Sequence, residues 1–410
     1  MPADALKCKE CSTTYPLDAR YVCERCFGPL EVAYAAPSGS PDELKRRIQA
    51  GPHTLWRYAD FLPLEGPPRS ALPTGWTPLL RADRLAARLG LGELWIKNET
   101  ANPTHSFKDR VVSVALARAQ ELGFETVACA STGNLANAVA AHAAAAGLPS
   151  YVFIPADLEQ EKIVATGAYG THIVAIKGNY DAVNRLCTEV SGDRPWAFVN
   201  VNVRPYYAEG SKTLAYETAE QLGWELPDRV VAPIASGSLF TKVARGFQEW
   251  IDAGLLDGGL PAMHGAQALG CSPVAQAFEA GTPVCRPVKP DTIAKSLAIG
   301  NPADGPYAID LARRTGGSVS AVSDDEIRAG IRLLAETTGI FTETAGGVTT
   351  ATLAKLAERG DIGAGERVVL CITGDGLKTI DVVRGSFETT EIAPSIDEFD
   401  AAFAVSEAAV

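Results

Sequence analysis

Residues 127–154 read VACASTGNLANAVAAHAAAAGLPSYVFI. Two short, wholly apolar runs, 127–130 and 151–154, flank an alanine-rich stretch at 135–146. Such runs read as strands buried on both faces, and a helix between them makes a parallel crossover. The alternation continues outward in both directions. Further strand-like runs fall at 94–98, 173–176, 197–201, 229–235 and 368–373. Helix-like stretches fall at 107–122, 158–166, 180–190, 211–222, 239–253, 324–338 and 348–359. No fixed-period repeat is present. The predicted fold class is α/β: two lobes with mostly parallel sheets flanked by helices, and a cleft between them.

Ahead of this alternation stands a different kind of segment. Cys8-x-x-Cys11 and Cys23-x-x-Cys26 are separated by eleven residues, each pair in a polar, turn-like context. Two such knuckles present four thiolates tetrahedrally, and the segment is too small to fold on apolar burial alone. Cys8, Cys11, Cys23 and Cys26 are therefore the expected ligands of a structural zinc. Four cysteines leave no open position for catalysis. The expected organisation is a zinc-ribbon-like cap at 1–34, a Pro/Gly-rich connector at 35–75 and a two-lobed catalytic region at 76–390. The smaller lobe, roughly 110–215, is inserted in the larger, and an acidic, alanine-rich tail fills 391–410.

Composition narrows the partners. The 410 residues carry 37 Lys and Arg against 49 Asp and Glu, a formal charge of −12. A field of that sign repels nucleic acid and anionic membrane. The segment 138–148 is too short to span a bilayer, and residues 1–7 lack the apolar core of a signal peptide. A cytoplasmic protein is expected, with Cys129, Cys187, Cys271, Cys285 and Cys371 as ordinary thiols.

In open α/β sheets ligands bind beyond the carboxyl ends of the strands, and four such ends here carry unusual chemistry. Asn102-Pro-Thr-His-Ser-Phe-Lys-Asp-Arg110 places Lys108 in the first turn of a helix, where the dipole disfavours a cation. An amine held there loses basicity and gains nucleophilicity toward carbonyls. Ser131-Thr-Gly-Asn134 and Ala235-Ser-Gly-Ser-Leu239 each open a helix with small residues whose N–H groups suit an anion. Thr373-Gly-Asp-Gly-Leu-Lys378 follows the last strand.

Taken in order, NPTHSFKDR, STGNLANA, the small-residue loop and TGDGLK resemble the threonine synthases, pyridoxal-phosphate enzymes of the tryptophan synthase β-like fold, fold type II. Thr77-Pro-Leu79, Ile293-Ala-Lys-Ser296 with Ile299-Gly-Asn-Pro302, and Gly339-Ile-Phe-Thr-Glu343 extend the likeness over most of residues 76–385. The resemblance implies pyridoxal 5′-phosphate as cofactor, joined to Lys108 as a Schiff base. It implies that Asn134 faces the ring hydroxyl, Ala235, Ser236, Gly237, Ser238 and Leu239 hold the phosphate, and Thr373 sits beside the pyridine nitrogen. Asp375 stands where the motif leads us to expect asparagine.

The implied reaction converts O-phospho-L-homoserine and water to L-threonine and phosphate, with a homodimer common among such enzymes. Ser131 and Thr132 are the candidates for the substrate carboxylate. Asn202, Arg204 and Lys212 are the candidates for the leaving phosphate, with Lys295 and Ser296 as a second set. Glu343 either packs over the cofactor or caps the following helix. Two alternatives share these motifs: a cysteate synthase-like enzyme acting on O-phosphoserine, and a catalytically idle cofactor-binding homologue.

Overall fold

The protein is described from a computed structural model, over residues 2–403 except 21, 67, 69, 70, 132, 157–159 and 179. Thr132, the first residues of the helix expected at 158–166 and the end of the tail lie outside the described residues.

The chain begins with a small antiparallel sheet in which β1 (Ala3–Cys8) lies between β2 (Thr14–Tyr15) and β3 (Leu30–Tyr34). β4 (Leu79–Arg81) and β5 (Glu93–Asn98) then open the edge of a six-stranded sheet. The chain leaves it for a four-stranded parallel sheet of β6 (Val127–Ala130), β7 (Ser150–Pro155), β8 (His172–Ile176) and β9 (Ala197–Phe198), ordered β8-β7-β6-β9. It returns as β10 (Arg229–Pro233), β11 (Ala262–Ala268), β12 (Ser318–Val322) and β13 (Arg367–Ile372). The large sheet runs β12-β11-β10-β13-β5-β4, parallel throughout except for the β4–β5 pair.

Parallel strands need crossovers, and the helices supply them on both faces. The helix Asp324–Thr338 shows why these segments stop and start where they do. Ser323 and Glu326 form a reciprocal cap at its start, and Gly339, at φ 73°, ends it.

Three strands of the large sheet, β4, β11 and β12, are additional to those expected from sequence. Ala262-Met-His-Gly-Ala-Gln-Ala268 is small and polar rather than β-branched, yet six of its seven residues are buried. Pairing with β10 and β12 on either side overrides its weak intrinsic preference. The connector also does more than wrap the body. Its 3-10 segment Leu55–Phe61 buries Tyr58 and Phe61 against Tyr216 and Trp250, and Arg57 binds Glu220 at 2.7 Å. Among the described residues no helix is long and apolar enough to cross a membrane.

This topology positions the site. Because β10, β13 and β5 are parallel neighbours, the loops that follow them leave the same edge of the large sheet. Those loops hold residues 235–239, 373–378 and 102–108.

Candidate active site

Lys108 is the first residue of the helix Lys108–Glu121, and its N–H donates to Ser106 Oγ at 3.3 Å. Its ammonium donates to the hydroxyl of Tyr207, 3.1 Å away on the short helix Arg204–Glu209. The loop carrying Lys108 is locked to the loop after β13. Phe107 N donates to Thr373 O at 2.9 Å, Asp375 N donates to His105 O at 3.1 Å, and Ser106 bridges Gly374. Thr373 is buried beside it.

The second lobe enters through Asn134, at the start of the helix Asn134–Ala146. Its amide nitrogen donates to both oxygens of Glu343, at 3.1 and 2.9 Å. Its amide oxygen accepts from Lys378 Nζ at 2.8 Å, and the same ammonium reaches Thr104 O. Both ends of the amide are thus occupied, so a ligand approaching Asn134 displaces one of these partners. Glu343 makes no side-chain cap to the helix Thr344–Glu358, which leaves packing over the site as its geometry. Gly374 is required opposite it, since a Cβ there would lie 2.5 Å from the carboxylate. Burial pushes the Glu343 carboxyl above its ordinary range, against the hydrogen bond from Asn134 and the charges of Lys378 and Lys108. Burial likewise pulls the Lys378 ammonium down.

Gly237 has φ +99° and precedes the helix Ser238–Asp252, whose first turn holds no acidic residue and whose start has no side-chain cap. Residues 235–239 therefore offer uncapped backbone N–H groups, a cradle matched to a phosphate. Ser131, after β6, accepts from Gly133 N at 3.4 Å at the neighbouring helix start.

The candidates for the leaving phosphate separate. Arg204 is one-third exposed and paired with Asp304 at 3.1 Å, close to the 235–239 loop. Lys212 is a correction: it is wholly buried, bound to Glu209 at 2.6 Å and Glu249 at 3.0 Å, and stacked on Tyr34. Its charge serves the packing of three segments. Asn202, half-buried, closes its own turn with its amide, accepting from Phe198 N and donating to Trp196 O. Lys295 and Ser296 lie exposed on a 3-10 turn, Lys295–Leu297.

Sequence reasoning passed over three features. Tyr207 gave no signal, because its meaning comes only from the lysine it faces. Lys378 was quoted in a motif without a role. His142 bonds Asp109 through Nε2 at 2.9 Å, while Asp109 also accepts from Thr104 N and Oγ1 at 2.8 and 2.9 Å. Beneath Lys108, Arg110 is fully buried and grips Glu99 at 2.5 Å and Glu217 at 2.6 Å, with Lys97 on Glu217 at 2.9 Å.

Residues 71–374 match the model of the pyridoxal-phosphate dependent enzyme family. The threonine synthase of Methanocaldococcus jannaschii is 38% identical over 94% of this chain and 96% of its own. That of Methanosarcina acetivorans is 38% identical over 96% of each. The chain belongs to the threonine synthase family of pyridoxal-phosphate-dependent enzymes. It is a lyase of that type, with the expected α/β fold. Maize serine racemase superposes with a TM-score of 0.62 at 22% identity, covering 84% of this chain and 95% of that one. A tomato threonine deaminase gives 0.63 at 23%, covering 86% and 96%, and these two speak to the fold alone.

At the other end of the chain, the sulfurs of Cys8, Cys11, Cys23 and Cys26 all lie within 4.8 Å of one another. A tetrahedral zinc with bonds of about 2.3 Å sets its sulfurs about 3.8 Å apart. The donor set fits that ion.

Proposed function

We propose that the enzyme converts O-phospho-L-homoserine and water to L-threonine and inorganic phosphate in the cytoplasm, with a structural zinc in its cap. The observation that carries the reading is the convergence of Lys108, Asn134, Thr373 and the 235–239 cradle at the carboxyl ends of three parallel strands and β6. The relatives are threonine synthases, so the cysteate synthase-like alternative is not favoured. None of the nine cysteines forms a disulfide, which suits a reducing compartment.

Pyridoxal phosphate would be held by Lys108, Asn134, Thr373 and the N–H groups of 235–239, and when bound it supplies an electron sink for charge developed at the substrate's α-carbon. This chain's own residues do the rest. Lys108 Nζ takes the α proton, and the Tyr207 hydroxyl, 3.1 Å away, holds that amine in reach. Ser131 and the helix start at Asn134 orient the substrate carboxylate. Arg204 draws the leaving phosphate toward the cleft.

The test is direct. Purified enzyme is given O-phosphohomoserine in one reaction and O-phosphoserine with sulfite in another, and phosphate and amino-acid products are measured. Threonine from the first alone supports the reading. Inertness toward O-phosphohomoserine overturns it.

A further inference from the structure

The cap touches the catalytic region in two different ways. Its outer parts are docked by ordinary contacts. Tyr206 donates to Asp18 O at 2.8 Å, Arg118 to Leu17 O at 2.7 Å, and Tyr34 to Glu209 at 2.6 Å. None of these involves the turn between the first two cysteines. That turn, Lys9-Glu10, instead reaches Asp304 and Tyr307 at the start of the helix Gly305–Arg314. Lys9 Nζ lies 3.3 Å from Asp304 Oδ1 and 3.3 Å from the centre of the Tyr307 ring. Glu10 accepts from the Tyr307 hydroxyl.

Asp304 is in turn part of the wall behind the 235–239 cradle. Its backbone N–H donates to Ser236 O at 2.8 Å. A Cβ on Gly237 would lie 2.9 Å from the Asp304 carbonyl and side chain, so the two backbones are in close contact. Its other carboxylate oxygen takes Arg204 at 3.1 Å. An unbroken line therefore runs from the cysteine knuckle through Lys9 and Asp304 to the loop that cradles a phosphate.

The knuckle is held by sulfur. Glu10 N and Cys11 N both donate to Cys8 Sγ, at 3.4 and 3.5 Å. A metal that binds Cys8 and Cys11 closes this turn and fixes where Lys9 points; without it the turn gains freedom.

We propose that the four-cysteine cap sets the affinity of the catalytic region for its cofactor, with Lys9 and Asp304 as positioning residues for the 235–239 loop. The proposal rests on the reading of those residues as the pyridoxal-phosphate cradle. It gives the cap a role beyond its own stability: metal in the knuckle and cofactor in the cleft favour each other reciprocally.

The experiment measures zinc content and the pyridoxal-phosphate dissociation constant, the latter by absorbance titration after dialysis. Chelating zinc from the wild-type enzyme raises that constant by about twofold to fivefold, the range of one ion pair, and zinc restores it. Lys9→Met raises it equally while still holding about one zinc per chain, and chelation then adds no more. Asp304→Asn behaves as Lys9→Met does. A zinc-loaded Lys9→Met enzyme with wild-type affinity overturns the proposal, as does a wild-type enzyme that holds no zinc or ignores its removal. Loss of the coupling alone leaves cofactor binding and threonine formation in place, whereas a wild-type chain that binds no pyridoxal phosphate overturns the functional reading as well.

Discussion

Glu217 and Glu343 are both buried glutamates, yet their acidities move in opposite directions. Burial would raise Glu217, but the Arg110 guanidinium and Lys97 ammonium overcome it and bring the carboxyl down to about 2. Three further donors complete that shell: Trp76 N at 2.7 Å, Thr77 N at 3.2 Å and the second guanidinium nitrogen at 2.7 Å. Glu343 has the neutral amide of Asn134 and, among the described residues, no cation in direct contact, so burial prevails and its carboxyl is raised. One carboxylate is saturated and the other is left wanting. Satisfied charge holds a fold together, while incompletely satisfied charge beside a cleft is free to respond to a ligand.

The difference can be broken from the reactive side first. Lys108→Ala should lower threonine formation by about a thousandfold, because it removes the base, and should leave the urea unfolding midpoint nearly unchanged. A comparable loss of stability would mean that Lys108 belongs with the structural charges instead.

Glu217→Gln tests the other side. It leaves Arg110 and Lys97 buried with one counter-charge fewer and should cost about 3 kcal/mol in urea unfolding. The pH dependence follows from the depressed carboxyl. Glu217 stabilises fully above the ordinary glutamate range, near 4.5, and that contribution drains as pH falls toward about 2. The wild-type enzyme should therefore lose more stability between pH 5 and pH 2 than Glu217→Gln does. Parallel curves would show that the network contributes nothing through its charge.

The two regions also differ in what the sequence reveals of them. Lys108 was legible because a cation at a helix start contradicts the dipole, and such a contradiction needs only local residues to be noticed. The cysteine pairs were legible from spacing alone. The alternation of apolar runs carried the small parallel sheet and half of the large one; β4, β11 and β12, which rely on their neighbours, were missed. Lys212 misled for the opposite reason. A lysine at a helix start resembles Lys108 in sequence, but Glu249, thirty-seven positions later, closes over it. Tyr207 and Glu217 likewise acquire their meaning from residues about a hundred positions away. Long-range pairing of polar groups has no periodicity to read.

Glu343→Gln sharpens the contrast in a single residue. The substitution keeps an acceptor for Asn134 but removes the negative charge facing Lys378 and Lys108, and should lower the rate by about tenfold, or ~1.4 kcal/mol of barrier. Its effect on stability should have the reverse sign to that of Glu217→Gln. A carboxyl raised in the fold favours the unfolded state as pH climbs above 4.5, so at pH 7 Glu343→Gln should unfold no more easily than wild type. Loss of several kcal/mol would place Glu343 among the saturated charges.

Asp375→Asn should produce the smallest effect. The carboxylate lies near Glu343 and helps to raise it, but its own bond is local: Oδ1 accepts from Leu377 N at 2.8 Å and caps the turn Gly376–Val383. Asparagine caps a helix start as well as aspartate does, so the turn should persist and stability should change by less than about 0.5 kcal/mol. Absorbance of the cofactor-loaded enzyme and the rate should both match wild type. A displaced absorbance band would mean that this carboxylate reaches the cofactor ring, and it would move Asp375 from the cap of a turn to the unsatisfied side of the contrast, beside Glu343.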